Sequence, residues 1–184
     1  MRVAAGALKG KVLRYPKTGI RPTTELIRSA LFNMVSSRIV NATVADFFCG
    51  AGALGIEAIS RGAKIVYFFE KSNLALRYLK ENLGNLPGAK IIRGDVLRKI
   101  KVIKDAEFDI MIADPPYLKG FLNGFIEAIS QKPILAKEGL IILQHHKKEE
   151  LCLPAEWYIS QQKRHGETFL TVIRRKHEDS RLPG

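Results

Sequence analysis

From Thr43 onward the apolar positions of this chain alternate between two patterns. Short runs rich in Val, Ile and Phe occupy 43–48, 64–69, 89–93, 108–113 and 139–143, each bounded by Gly, Pro, Asn or Asp. Runs of that length and composition predict buried strands. Between them, apolar residues recur at helical spacing near 53–61, 73–83, 96–103 and 120–130. Strand–helix alternation of this kind predicts an α/β fold, a doubly wound and mostly parallel sheet with helices on both faces. The end of the chain breaks the pattern. Residues 156–163 and 168–174 read as two strands around Arg164-His165-Gly166-Glu167, so an antiparallel hairpin is expected to finish a seven-stranded sheet.

The first 42 residues follow neither pattern. Residues 1–20 read as a hairpin-like extension, with strands at 2–5 and 11–14 around Gly6 and Gly10. Pro22, Thr23 and Thr24 then open a helix, down one side of which run Leu26, Ala30, Leu31, Met34 and Val35. The 184 residues are expected to form one domain: the extension at 1–20, a core at 21–175 and a flexible polar tail at 176–184.

Charge changes the picture more than composition does. Thirty Lys and Arg against eighteen Asp and Glu leave a net +12. Arg2, Lys9, Lys11, Arg14, Lys17 and Arg21 all precede the first acidic residue, Glu25. Such an excess favours a polyanion through counterion release and steering. Nucleic acid is the better partner, since no amphipathic helix accompanies the charges to suit a membrane surface. No apolar stretch approaches the roughly 18–20 residues that cross a bilayer. Cys49 and Cys152 fit neither a metal spacing nor a disulfide framework, and a reducing cytoplasm is expected. His145 and His146, adjacent on a strand, would point to opposite faces, so no metal site is expected.

The chemistry lies where strands end. Asp46-Phe47-Phe48-Cys49-Gly50-Ala51-Gly52-Ala53-Leu54-Gly55 carries G-x-G-x-x-G between a strand and a helix. Glu70 ends the next strand about 20 residues later, where an acid meets ribose hydroxyls. This pattern alone serves a nicotinamide cofactor or S-adenosylmethionine. A pyrophosphate wants bare amides, whereas a methionyl ammonium wants acceptors, and Asp46 supplies a carboxylate just before the loop. Asp95, past the third strand, suits an adenine amine, or else the N-cap of the next helix. Phe48, Lys71 and Val96 flank these positions and are grouped with the same cofactor site. Cys49, inside the loop, reads as a small apolar filler.

Asp114-Pro115-Pro116-Tyr117 closes the fourth strand. A carboxylate can accept one N–H of a planar amine, and a carbonyl stiffened by two prolines can accept the other. The aromatic ring offers a face for a nucleobase. Two acceptors drawing an exocyclic amine toward tetrahedral geometry would help it attack a methyl group. Asp114, Pro115 and Tyr117 are therefore the candidate catalytic residues.

The order of these pieces resembles a class I S-adenosylmethionine-dependent methyltransferase of the amino-methylating kind. Arg21-Pro22-Thr23-Thr24, Arg28, Leu31-Phe32-Asn33, Gly52-Ala53-Leu54-Gly55-Ile56-Glu57-Ala58 and Arg164-His165-Gly166-Glu167-Thr168 narrow the match. Together they resemble the bacterial 16S ribosomal RNA guanine-N2 methyltransferase family, from near residue 2 to about 174. That resemblance implies a Rossmann-like catalytic core and S-adenosylmethionine held around Gly50, Gly52 and Glu70. It also implies N2-methylguanine as product and 16S rRNA, or a small-subunit particle or assembly intermediate, as partner of a monomer. Lys9, Lys11, Arg14, Arg21, Thr23, Thr24 and Arg28 are the expected RNA-facing residues. The family often carries Glu where this chain has Gln144-His145-His146, and an aromatic residue where His165 stands. A DNA adenine-N6 methyltransferase shares the four-residue motif, but such enzymes commonly carry a separate recognition region. A non-catalytic RNA-binding or assembly factor is the other alternative. Retention of Asp46, Glu70, Asp95 and Asp114 together argues against it.

Overall fold

Side chains alternate between faces along each strand, and in this computed structural model the alternation divides the core in two. The structure describes residues 1–16, 24–103 and 106–176. Strands β1 (Thr43–Phe47), β2 (Ile65–Glu70), β3 (Ala89–Arg93), β4 (Phe108–Ala113), β5 (Leu135–His146), β6 (Trp157–His165) and β7 (Thr168–Arg175) form one sheet, in the order β3-β2-β1-β4-β5-β7-β6. The first five run parallel, and β7 pairs antiparallel with both β5 and β6. Val44, Phe68, Ile112 and Ile142 fill one face under helices α1 (Glu25–Met34), α2 (Ala53–Ser60) and α3 (Asn73–Leu83). Their neighbours Ala45, Phe69, Met111 and Ile141 fill the other, under α4 (Val96–Val102) and α5 (Phe121–Ser130). The expected α/β architecture and its terminal hairpin are both present. Chain order reverses between β1 and β4, which opens a crevice at the carboxyl ends of these strands.

Three expectations need correction. The last parallel strand spans twelve residues rather than five, because Lys137, Glu138 and Gly139 are carried through a register shift against Phe108 and Ile110. Leu26 does not join the buried side of α1 and is 69% exposed; that side is Arg28, Leu31 and Phe32. The described part of the N-terminal extension pairs as a hairpin, but through one antiparallel bridge, Arg2 with Val12, and neither arm is a full strand.

Its two arms exchange backbone hydrogen bonds, Val3 N–H to the Lys11 carbonyl and Leu13 N–H to the Met1 carbonyl, and the turn between them is tied to α2. Ala4 and Ala5 N–H donate to the two carboxylate oxygens of Glu57 at 2.8 and 3.0 Å, and Leu8 N–H donates to Ser60 Oγ at 2.9 Å. Gly6 sits at φ +82, and a Cβ there would lie 1.8 Å from the Ser60 carbonyl oxygen, so only glycine lets the segment lie on α2. Val3 and Leu13 are buried in the same cluster as α1 and α2. Residues 177–184 of the expected tail lie outside the described residues.

Candidate active site

A cavity of about 530 Å³ opens at the carboxyl ends of β1, β2 and β4. That size is ordinary for a small-molecule site. The glycine loop, Glu70, Asp95 and the Asp-Pro-Pro-Tyr motif, spread over four strands in sequence, all line it.

The loop is shaped by its backbone. Phe48, Gly50 and Gly52 sit at φ +59, +56 and +88. Phe48 adopts this unfavourable conformation while its ring packs edge-on against Phe121 and Phe125. Gly52 and Gly55 are packing positions, since a Cβ at either would strike Leu79 Cδ1 at 2.4 Å or the Phe68 ring at 2.2 Å. Gly50 is the glycine that faces the cavity; Gly52 lies beneath it. Glu70 ties the region together. One of its oxygens accepts from Gly50 N–H at 2.9 Å, and the other from Lys71 and Ser72 N–H at 2.8 and 2.7 Å. The oxygen that takes Gly50 N–H has a further lone pair to offer across the cavity, while the other is filled by its two donors.

Asp95 serves both of its expected roles. It caps α4 by accepting from Arg98 N–H at 3.2 Å, and it lines the cavity beside Val96. Its other oxygen lies 3.7 Å from Lys71 Nζ, which also sits 5.4 Å from the centre of the Phe121 ring. The carboxylates of Glu70 and Asp95, an apolar wall and the narrow glycine loop suit an adenosyl group with its ribose.

Opposite the loop, β4 delivers Asp114 and the buried Pro115 at its end. Because Ala113 pairs with Leu143, the next residue of β5, Gln144, falls beside the motif. Gln144 Nε2 donates to the Tyr117 hydroxyl at 2.8 Å, and Thr168 Oγ1 lies 3.5 Å from the same oxygen. Both residues line the cavity, so the Tyr117 ring is held from β5 and β7.

The family described as Conserved hypothetical protein 95 matches residues 1–174. The chain belongs to this family. Ribosomal RNA small subunit methyltransferase D of Escherichia coli strain K12 is 31% identical over 180 residues, covering 96% of this chain and 90% of that protein. Its counterpart in Buchnera aphidicola is 33% identical over 164 residues, covering 88% and 86%. Among solved structures, the Escherichia coli protein yhhF superposes with a TM-score of 0.86 at 29% identity, covering 97% of this chain and 99% of that one. The fold is thus the Rossmann-like methyltransferase fold.

Within this family member two expected site residues stand elsewhere. Arg28 does not face RNA. It is fully buried, with Nε 3.2 Å from Glu57 Oε2, and its guanidinium also donates to the Arg2 carbonyl. The Glu57 carboxylate needs cations because it is itself buried, and Arg61 Nε supplies a second at 2.9 Å. Asp46 does not line the cavity either. It is 1% exposed and turned under the loop, where it accepts from Gly55 N–H at 2.8 Å. Burial first, then the charges of Asp114 and Glu70, push its carboxyl up to about 8 against the pull of that N–H.

Lys9 and Arg14 are exposed and Lys11 is half-buried, and none of the three lines the cavity. Thr24 caps α1 by accepting from Ile27 N–H and lines the cavity mouth with Ile27. Arg21 and Thr23 lie outside the described residues. Cys49 borders the cavity, but burial, followed by the charges of Asp46 and Glu70, raises its thiol well above the ordinary value. It stays protonated and is no nucleophile.

Tyr15, Lys119, Gln144 and Thr168 also line the cavity and were not legible as site residues. Tyr15 had one signal, being the first aromatic residue of the basic extension. Gln144 had another, since it stands where the resembled family often carries Glu. Thr168 closes the last of the resembled motifs, but its place at the cavity depends on β7 returning antiparallel to β5.

Proposed function

We propose that this protein uses S-adenosylmethionine to methylate the exocyclic N2 amine of a guanine in small-subunit ribosomal RNA. One observation carries the proposal: Asp114, Pro115 and Tyr117 line the same cavity as Gly50, Glu70 and Asp95. An amine grip and a nucleoside site thus share one space. The relatives' name, ribosomal RNA small subunit methyltransferase D, supports the substrate class.

S-adenosylmethionine, when bound, supplies an electrophilic methyl group on a sulfonium. Glu70 would hold the ribose hydroxyls, Asp95 the adenine amine, and the Gly50 loop the narrow middle. On the opposite wall the Asp114 carboxylate and the Pro115 carbonyl would each accept one hydrogen of the guanine amine. Tyr117, fixed at its hydroxyl by Gln144 and Thr168, would stack on the base. Positive charge grows on N2 during transfer, and the Asp114 carboxylate stabilises it and holds the departing proton. Orientation and this single charge supply most of the catalysis.

The test is single-turnover transfer of labelled methyl groups to rRNA from cells lacking the modification, comparing wild type with Asp114→Ala and Asp114→Asn. Asp114→Ala should lose on the order of 100- to 1000-fold in rate with cofactor affinity retained. Asp114→Asn keeps an acceptor oxygen without the charge, and should fall well below wild type. Near-wild-type turnover by the Ala variant would remove Asp114 from the mechanism.

A further inference from the structure

A second concavity, of about 420 Å³, lies round the edge of the sheet from the active-site cavity. It runs between α3 and the edge strand β3, and is lined by Asn73, Leu76, Arg77, Lys80, Ile91 and Arg93. Its floor is apolar and its rim is cationic. Leu76 and Ile91 belong to the core cluster under α3, while Arg77, Lys80 and Arg93 are exposed.

The rim charges are poorly neutralised. Arg77 reaches Glu81 only at 3.9 Å, and Glu81 is shared with Arg14 at 3.8 Å. Among the described residues neither Lys80 nor Arg93 takes part in an ion pair. Arg77 and Lys80, three positions apart on one helix, are like charges on one face, and Glu81 offsets their repulsion only from the long distance to Arg77. A buried core has no use for such a rim, and an anionic ligand would offset its repulsion.

The groove also connects to the site. Arg93 pairs in register with Glu70 and lies two residues before Asp95, and Asn73 directly follows Ser72. On the other side, Asn82 of α3 holds the backbone of Arg14 by two hydrogen bonds of 2.7 and 2.9 Å and also binds the Ala51 carbonyl. Arg14, Arg77, Lys80 and Arg93 thus form one cationic path from the basic N-terminal segment, past the glycine loop, to the sheet edge.

We infer that this α3–β3 groove is a second RNA site, which takes the phosphate backbone of a strand flanking the target nucleotide. Arginine forks and a lysine ammonium match phosphate oxygens, and the Leu76–Ile91 floor gives the apolar side of a sugar or base a place to lie. The RNA identity of the occupant rests on the function proposed above; the groove and its charge do not.

The experiment compares full-length wild type with Arg77→Gln/Lys80→Gln/Arg93→Gln and with the charge-retaining Arg77→Lys/Arg93→Lys. Binding to naked 16S rRNA and to poly(U) is measured across a potassium chloride series, with S-adenosylmethionine affinity and melting temperature as checks of folding. Three lost phosphate contacts on a single strand should reduce the log–log salt slope by about 2. The KM for rRNA should rise at least tenfold at physiological salt, with kcat at saturating RNA kept. The charge-retaining variant should restore the slope. An unchanged slope and KM in a folded triple-Gln variant would overturn the groove while leaving the methyl-transfer proposal standing. Groove-dependent RNA binding by a protein that transfers no methyl group would uphold the groove and sink the proposed function.

Discussion

Single side chains decide the chemistry, and Glu70 illustrates why one substitution has two effects. Its carboxylate holds three backbone N–H groups of the glycine loop and the β2–α3 turn, besides any ribose hydroxyl. Glu70→Ala should therefore weaken S-adenosylmethionine binding by at least about 1.5–3 kcal/mol, the scale of lost charged hydrogen bonds. Calorimetry should also show negligible NAD binding by wild type; tight NAD binding without an S-adenosylmethionine signal would reverse the assignment. Asp46 gives a different expectation. Below about pH 4 it is protonated in both folded and unfolded chains. Between there and about 8 the unfolded chain releases the proton and the folded one keeps it. Stability should fall as pH rises through that window, by no more than about 1.4 kcal/mol per pH unit from this group. Urea melts of Asp46→Asn should lack that component, and parallel curves for the two proteins would contradict it. Glu70, Asp95, Asp114 and Tyr117 were legible as cavity residues because each lies at or within a few residues of a strand's carboxyl end, and such ends converge at a switch point. Asp46 and Arg28 were misplaced because a charged residue is ordinarily read as exposed. Only the fold reveals that Gly55 N–H needs one and Glu57 the other.

At the scale of elements, the hairpin β7–β6 and strand β5 reach into a site built mainly by β1, β2 and β4. Gln144 acts on Tyr117 through its hydroxyl, so Gln144→Leu and Tyr117→Phe should lower kcat/KM by similar amounts. The double variant should be no worse than either single one. Additive losses would mean that Gln144 contacts the substrate independently. The N-terminal segment and α1 are joined to α2 by the buried Arg28–Glu57–Arg61 cluster. Removing Arg28 by Arg28→Met leaves the Glu57 carboxylate one cation among the described residues, Arg61, beside the Ala4 and Ala5 N–H groups. The expected loss is about 3 kcal/mol, toward the lower end for a broken buried pair, with the RNA salt slope unchanged. A stable variant with a reduced slope would return Arg28 to the RNA surface. Parallel strands and their helices were legible because their periodicity is local. The bridge-only extension and the twelve-residue β5 were not, since Glu57, Ser60 and the bulge opposite Phe108 are distant in sequence.

For the whole molecule, the net charge of +12 and its concentration before Glu25 concern association rather than fold. Replacing Lys9, Lys11 and Arg14 with Ala should flatten the salt dependence of RNA binding by roughly one unit or less per lost phosphate contact. Cofactor affinity should stay unchanged. Retention of the full slope would make the segment purely structural. The most direct measurement on the central claim is the identity of the product. Wild-type protein is incubated with methyl-labelled S-adenosylmethionine and small-subunit rRNA from cells lacking the modification, and the RNA is digested to nucleosides. The proposed amine grip of Asp114 and Pro115, in the cavity shared with Glu70 and Asp95, predicts label in N2-methylguanosine alone. Label in N6-methyladenosine, label in a ring-carbon or ribose methyl, or no transfer at all would contradict it.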